Sequence, residues 1–325
     1  MRLSACLLFG FSSLLAGAQP ALAQSSVHVN GLLDAGFFRS FDKTNQIGTI
    51  QRSYLAFSGT EDLGGGLKAT FRLSTRFLMD DGSSEDAAIK PFWYDESTVG
   101  LLGPWGHVRL GRALSAMWAH EWEFDPWANF NRIASPSWYL FHTLSPTDRA
   151  SNSGFPEYGR MSNAVFYDSV SLNGFSFHLS LTPERTQAPG RDGRGSSVAL
   201  KYKQGRITAL LAHERNGSGD QDLFVGAKYS FGALALMTAY NRSDEADTPD
   251  VARAGTVSAT YQMGATTLKA SYGQQRVRDE TNRFAALGAD YALSRRTTLY
   301  VSLGHQRFDR VPTRTAYGVG LSHAF

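Results

Sequence analysis

Leu67-Lys68-Ala69-Thr70-Phe71-Arg72-Leu73-Ser74-Thr75-Arg76-Phe77 alternates with a period of two. Successive side chains of an extended chain point to opposite faces. Leu67, Ala69, Phe71, Leu73 and Phe77 therefore share one face, and Lys68, Thr70, Arg72, Ser74 and Arg76 share the other. One face is greasy and the other is polar. The pattern recurs upstream, where Val27, Val29, Gly31, Leu33, Ala35 and Phe37 oppose His28, Asn30, Leu32, Asp34 and Gly36. It recurs downstream in Phe175, Phe177, Leu179 and Leu181, in Leu299, Val301 and Leu303, and finally in Tyr317, Val319, Leu321, His323 and Phe325. Sixteen such segments of about ten residues are predicted as strands, from 27–39 and 49–60 through the pair 93–102 and 106–112 to 314–325.

The connections differ in kind. Short ones, such as Gly64-Gly65-Gly66, Gly103-Pro104-Trp105, Gly205 and Gly232, alternate with longer polar ones at 40–48, 79–92, 183–195, 215–221, 242–253, 276–282 and 309–313. Short turns would line one rim and long loops the other. Inside a bilayer every backbone N–H and C=O must be paired internally, so strands cross only as a closed cylinder without edges. The fold class read here is all-β, a sixteen-stranded antiparallel transmembrane β-barrel. A soluble β-sandwich explains the alternation of single strands but not the aromatic residues at segment ends. Tyr229, Phe231, Tyr240, Tyr261, Tyr272 and Tyr291 sit where interfacial girdles would lie.

Composition narrows the function classes. Of the 325 residues 42% are hydrophobic and 12% aromatic, which excludes disorder. Basic and acidic side chains number 32 and 29 without a basic block, so no nucleic-acid partner is indicated. Residues 1–23 read as a cleaved signal peptide: Arg2, an apolar stretch from Leu3 to Ala18, and an A-x-A site at Ala21-Leu22-Ala23. The barrel domain would then run over 24–325. The sole cysteine, Cys6, falls in the leader, so disulfides play no part. After residue 23 no apolar run reaches the roughly 20 residues of a spanning helix.

The stretch from Tyr54 to Phe77, and Gly59 to Ala69 above all, resembles the Gram-negative porins of the neisserial and β-proteobacterial type. The resemblance continues in Leu110-Gly111-Arg112, in 163–168, in 267–274, in 290–297 and in the ending Leu321-Ser322-His323-Ala324-Phe325. It implies a homotrimer in the outer membrane of a Gram-negative bacterium, in contact with outer-membrane lipid and lipopolysaccharide. Each barrel would be a water-filled pore for passive diffusion of small hydrophilic solutes, narrowed by its inward-folded third loop. Phe325 resembles the signal read by the outer-membrane assembly machinery. The family commonly carries arginines at the positions of Tyr54, Ser58 and Phe166, and Arg52 lies one pleat repeat before the first of them.

Within a barrel, strand parity sends Arg52, Lys68, Arg72, Arg76 and Arg109 into the lumen as one basic wall. Arg112 opens the long connection 112–159, which is too long for an ordinary turn and is read as the constriction loop. That loop carries Glu121, Glu123, Asp125 and Arg132. An acidic loop facing a basic wall would set a transverse field across the bore. Bases outnumber acids even with Asp34 included, and mild anion selectivity is expected. Trp118, Trp122, Trp127, Phe130, Trp138 and Tyr139 pack the loop, or else form a stacking platform that makes the channel prefer an anionic or aromatic solute.

Other sites are discounted. His120-Glu121 and His213-Glu214 lack the second histidine of a zinc protease helix. Asp80, Asp81, Glu85 and Asp86 lack calcium-loop spacing, so neither metal nor cofactor is expected. Asn216-Gly217-Ser218 matches a glycosylation pattern that has no meaning in this setting. An outer-membrane barrel hydrolase would need Ser271 or Ser302 beside His305 or His323, but both histidines fall on the lipid face, so the chain is read as no enzyme. A barrel serving as an adhesin through its loops is the remaining alternative.

Overall fold

The computed structural model describes residues 25–85, 91–144, 159–183, 194–217 and 219–325. The predicted signal peptide at 1–23, Asp86, Ser218 and the 145–158 part of the long connection lie outside them. The strands are β1 Ser26–Arg39, β2 Asn45–Gly48, β3 Ser53–Gly64, β4 Leu67–Phe77, β5 Glu96–Gly103 and β6 Gly106–Leu114. After the inner loop come β7 Arg160–Asp168, β8 Phe175–Thr182, β9 Gly195–Gln204, β10 Ile207–Arg215, β11 Gln221–Phe231 and β12 Leu234–Asp244. The last five are β13 Val251–Met263, β14 Thr266–Val277, β15 Glu280–Ala292, β16 Thr297–Arg307 and β17 Arg314–Ala324.

Each strand pairs antiparallel with its neighbours, and β1 closes the ring against β17, with Asp34 opposite Ser322. β2 and β3 both pair with β1 and are two halves of one stave, so sixteen staves close the barrel as expected. The interruption between them has a local cause. Asp34 points inward, fully buried, and its Oδ1 accepts the amides of Ile50 and Gln51 at 2.9 and 2.8 Å. Its Oδ2 accepts from Tyr300 Oη at 2.7 Å. Asp34 is thus a clamp in the wall rather than a charge facing the bore. Among the described residues no helix is long and apolar enough to cross a membrane, and strands do the crossing.

Short turns gather at the rim that holds the start of β1 and the end of β17. Gly205, Gly232 and Gly264 take left-handed φ of 59 to 64° in two-residue hairpins, a conformation in which a side chain is strained. The expected long loop at 276–282 is not one. β14 and β15 run on to Val277 and from Glu280, leaving Arg278-Asp279 as the whole turn. The polar run misleads because the barrel interior here is polar: Asn282 Nδ2 donates to Gln275 Oε1 at 3.1 Å, both buried inside the barrel.

The outer face is apolar, with Phe37, Val99, Leu110, Val257, Leu287 and Val301 exposed on it. The inner face of β9 to β15 is small, with Ala199, Ala212, Ala239, Ala254 and Ala286 buried. Smallness makes room for the inner loop. Met117, Phe124, Trp127, Leu140 and Phe141 of that loop pack on these alanines and on Leu210, Phe224 and Phe284 as a dry cluster within the barrel. Fully burying each large side chain stabilises by about 1.5–3 kcal/mol.

Candidate functional site

The inner loop leaves β6 through α1 Trp118–Glu121, continues in a 3-10 turn at Trp122–Phe124, and passes α2 Ser137–Leu140. Polar wall residues catch its backbone. Ser180 and Ser197 hydroxyls accept the amides of Ala116 and Met117 at 2.8 and 3.0 Å. Asn131 Nδ2 donates to Ser302 Oγ at 2.9 Å, and Gln275 Nε2 donates to the carbonyls of Leu140 and Thr143 at 2.9 and 2.6 Å. Held against β8 to β16, the loop leaves open the sector in front of β3 to β7.

That sector is a cavity of about 430 Å³. Arg52, Arg72, Arg76, Arg109 and Arg160 line it together with Asp95 and Glu96, and the loop contributes Ala119, Trp122, Ala128 and Phe130. The arginines form a ladder with acids of the same wall. Arg76 and Arg160 reach Asp95 Oδ1 at 2.6 and 2.5 Å. Arg72 lies 3.2 Å and Arg109 2.8 Å from Glu96, and Arg109 also donates to Asp168 at 3.0 Å. Arg52 has no carboxylate partner among the described residues; it donates to the Asn129 carbonyl at 3.0 Å and lies over the rings of Phe130 and Trp138.

Of the predicted wall, Arg52, Arg72, Arg76 and Arg109 are brought together. Lys68 shares their face but sits exposed near the short-turn rim, opposite Asp62 and Leu102. Arg112 lies past a register shift in β6, where it donates to the Tyr94 carbonyl at 2.8 Å and bonds Ser162, outside the lining. Arg160, Asp95, Glu96 and Asp168 were missed by sequence reasoning. The signal existed for Glu96 and Asp168, which have the same inward parity that singles out Arg72 and Arg109.

The acids of the loop are placed elsewhere than opposite the wall. Glu121 is buried and accepts from Asn129 Nδ2 at 3.0 Å and from His142 Nε2 at 2.7 Å. Burial alone would lower the pKa of His142, but Glu121 and Asp222 raise it well above the ordinary value. Asp125 is buried, accepts the Trp127 amide at 2.7 Å and bonds Ser135. Its pKa is raised by burial against those bonds. Glu123 pairs with Lys201 on β9, two strands beyond β7 and outside the arginine lining. Arg132 pairs with Glu85 at 2.6 Å. The loop acids therefore anchor the loop, and the passage keeps five arginines against two carboxylates.

The serines and histidines weighed for hydrolysis do not meet. Ser271 and Ser302 are buried inside, bonded to Ser258 and Asn131, whereas His305 and His323 are exposed on the outer face beside Thr315 and Thr297.

The chain matches the family model described as "Gram-negative porin" over residues 10–310. It is 28% identical to outer membrane porin protein 32 of Delftia acidovorans, over 90% of this chain and 86% of that one. It is 25% identical to the major outer membrane protein P.IB of Neisseria lactamica, over 96% and 98%. Among solved structures, an anion-selective porin from Comamonas acidovorans superposes with a TM-score of 0.78 at 24% identity, covering 93% of this chain and all of that one. With the barrel, the inner loop and this match over most of its length, the chain belongs to the Gram-negative porin family.

Proposed function

We propose that this outer-membrane channel passes small hydrophilic solutes between the arginine wall and the inner loop, with 112–159 as its constriction and with anions favoured. The family and the fold are those of non-enzymatic channels for passive diffusion. One observation carries the sign of the preference: the lining holds five arginines and two carboxylates, and Glu121, Glu123 and Asp125 are spent on anchoring. A fixed surplus of positive charge in a narrow, partly apolar section raises the local concentration of anions. The relative from Comamonas acidovorans is itself named anion-selective. Reversal potential in a salt gradient across a planar bilayer tests the reading. The porin should favour anions, and Arg72→Ser with Arg76→Ser should move the potential toward cations; an unmoved potential removes the wall from selectivity.

A second reading, a preference for anionic ring-bearing solutes, is favoured by Trp122. Its ring is exposed and lines the passage with Tyr54 and Phe130, next to the arginines. Current block by aromatic carboxylates, compared with aliphatic ones of equal charge, separates the two readings.

We infer a homotrimer from the family resemblance, to be checked by the mobility of the unheated protein in SDS. Phe325 is proposed as the assembly signal. It exchanges backbone hydrogen bonds with Gly31 at 3.2 and 3.3 Å and stays partly exposed at the short-turn rim. Lipopolysaccharide is the proposed lipid partner, because Arg253, Arg276 and Arg307 stand exposed on the outer face.

A further inference from the structure

His120 of α1, Asp168 at the end of β7 and His178 of β8 converge at the edge of the passage. One ligand atom of each lies within 4.8 Å of the other two. The two imidazole rings are 3.8 Å apart between centroids and tilted by 43°. His178 is held from both sides, with Nδ1 2.7 Å from Asp168 Oδ1 and Nε2 2.9 Å from Ser176 Oγ. His120 is not, for its buried Nε2 has no hydrogen-bond partner among the described residues. Burial, with His178 and Lys201 adding to it, pushes the His120 pKa down to about 3. The ring is neutral at physiological pH and keeps a lone pair on one nitrogen.

We propose that His120, Asp168 and His178 bind a borderline transition-metal dication, Zn²⁺, Ni²⁺ or Cu²⁺, that ties the inner loop to the β7–β8 wall. Two imidazoles, one carboxylate and a position left for water suit these ions, whereas Ca²⁺ and Mg²⁺ require oxygen ligands. Metal–nitrogen bonds of about 2.0–2.1 Å place tetrahedral ligand atoms roughly 3.3 Å apart. Side-chain rotation covers that contraction. The nearest cations are already compensated, Arg109 by Glu96 at 2.8 Å and Lys201 by Glu123. Arg109 also pairs with Asp168 Oδ2 and leaves its Oδ1 toward His178. A bound dication would brace α1 and add positive charge beside Arg109, which lines the passage.

The site does not depend on which ions the channel prefers, so binding is measured directly. Folded porin in detergent, stripped with EDTA, is titrated with Zn²⁺ against a chromogenic chelator. One equivalent per chain is expected at micromolar Zn²⁺. Affinity should fall by about tenfold or more in His120→Gln and in His178→Gln, as loss of a metal-site residue does, and stay unchanged in His305→Gln. Resistance of the unheated variants to SDS confirms that they are folded. The unaltered protein loaded with Cu²⁺ should show hyperfine coupling to two imidazole nitrogens in its electron paramagnetic resonance spectrum. Failure of Zn²⁺ to bind stoichiometrically, binding undiminished in both variants, or coupling to fewer than two nitrogens overturns the proposal.

Discussion

Arg76 and Asp95 meet at 2.6 Å at the head of the passage, and Asp95 Oδ1 is shared with Arg160 at 2.5 Å. Burial by itself would raise the Asp95 carboxyl, but Arg76 and Arg160 hold it far below the usual carboxylate range. One carboxylate thus keeps two arginines side by side. Asp95→Asn leaves Arg160 facing Arg76 without the shared anion, and Arg76 with only Glu85, at 3.8 Å. Removing one partner of a buried pair costs about 3 kcal/mol. The expected outcome is a lower denaturation temperature together with a reversal potential moved further toward anions. A variant with wild-type values in both would show that Asp95 neither shapes nor screens the wall.

Gly304 on β16 shows how closely the inner loop approaches. A Cβ there would stand 1.9 Å from the carbonyl oxygen of Ile133. Since that obstacle is backbone, Gly304→Val must displace the loop around Ile133, whose side chain packs with Ile50 and Tyr300. Overpacking of this kind costs about 1–3 kcal/mol. Single-channel conductance should change, because the displaced loop bounds the passage. Gly255→Val is the control, since only the Ala239 carbonyl oxygen, at 3.9 Å, lies near its Cβ position.

Strand faces were legible in the sequence because a period of two is a local property. Leu67 to Phe77 declares its inward residues with no knowledge of its neighbours. Pairings across the wall were not legible in the same way. Arg109 meets Asp168 only because β6 and β7 pair across the whole inner loop, 59 residues apart in the chain. The orientation of Glu121 was hidden for a similar reason. Its partners His142 and Asn129 lie in the same loop, and its position follows from packing on alanines of β9 to β15 that no motif marks. The polar run at 276–282 reads as a loop only if a barrel interior is imagined to be apolar.

The anchoring of the loop should depend on pH through His142. Glu121, Asp222 and Glu214 face it, and the ring of Trp118 lies 4.3 Å away. With its folded pKa raised above the ordinary 6.5, His142 contributes stability that is complete below that value. The contribution is lost as pH rises through the folded pKa. Alkaline solution should therefore loosen the loop, seen as increased open-channel current noise, while mildly acidic solution should not. His142→Gln should show the alkaline noise level at every pH; a variant that keeps the wild-type pH profile would assign the effect to another group.

On the outer face, Arg253 of β13 stands directly opposite both Arg242 of β12 and Arg276 of β14, and Arg283 of β15 stands opposite Arg307 of β16. Only Arg242 has an acid partner among the described residues, Asp244 at 3.1 Å. Like charges directly across a ladder are destabilising unless an anion lies between them. Arg242 comes one pleat repeat beyond Tyr240, and Arg276 two beyond Tyr272, so the row lies just past an aromatic girdle, at the level of lipid phosphates. Each arginine near an anionic surface is worth about 1 kcal/mol. Arg253→Ser with Arg276→Ser should therefore copurify with less lipopolysaccharide, and adding that lipid back should protect it less against heat. Its reversal potential should match the wild type, because these side chains lie outside the wall that solutes meet. Undiminished lipid retention would leave the arginine row without a partner, and a changed potential would place part of the selectivity outside the bore.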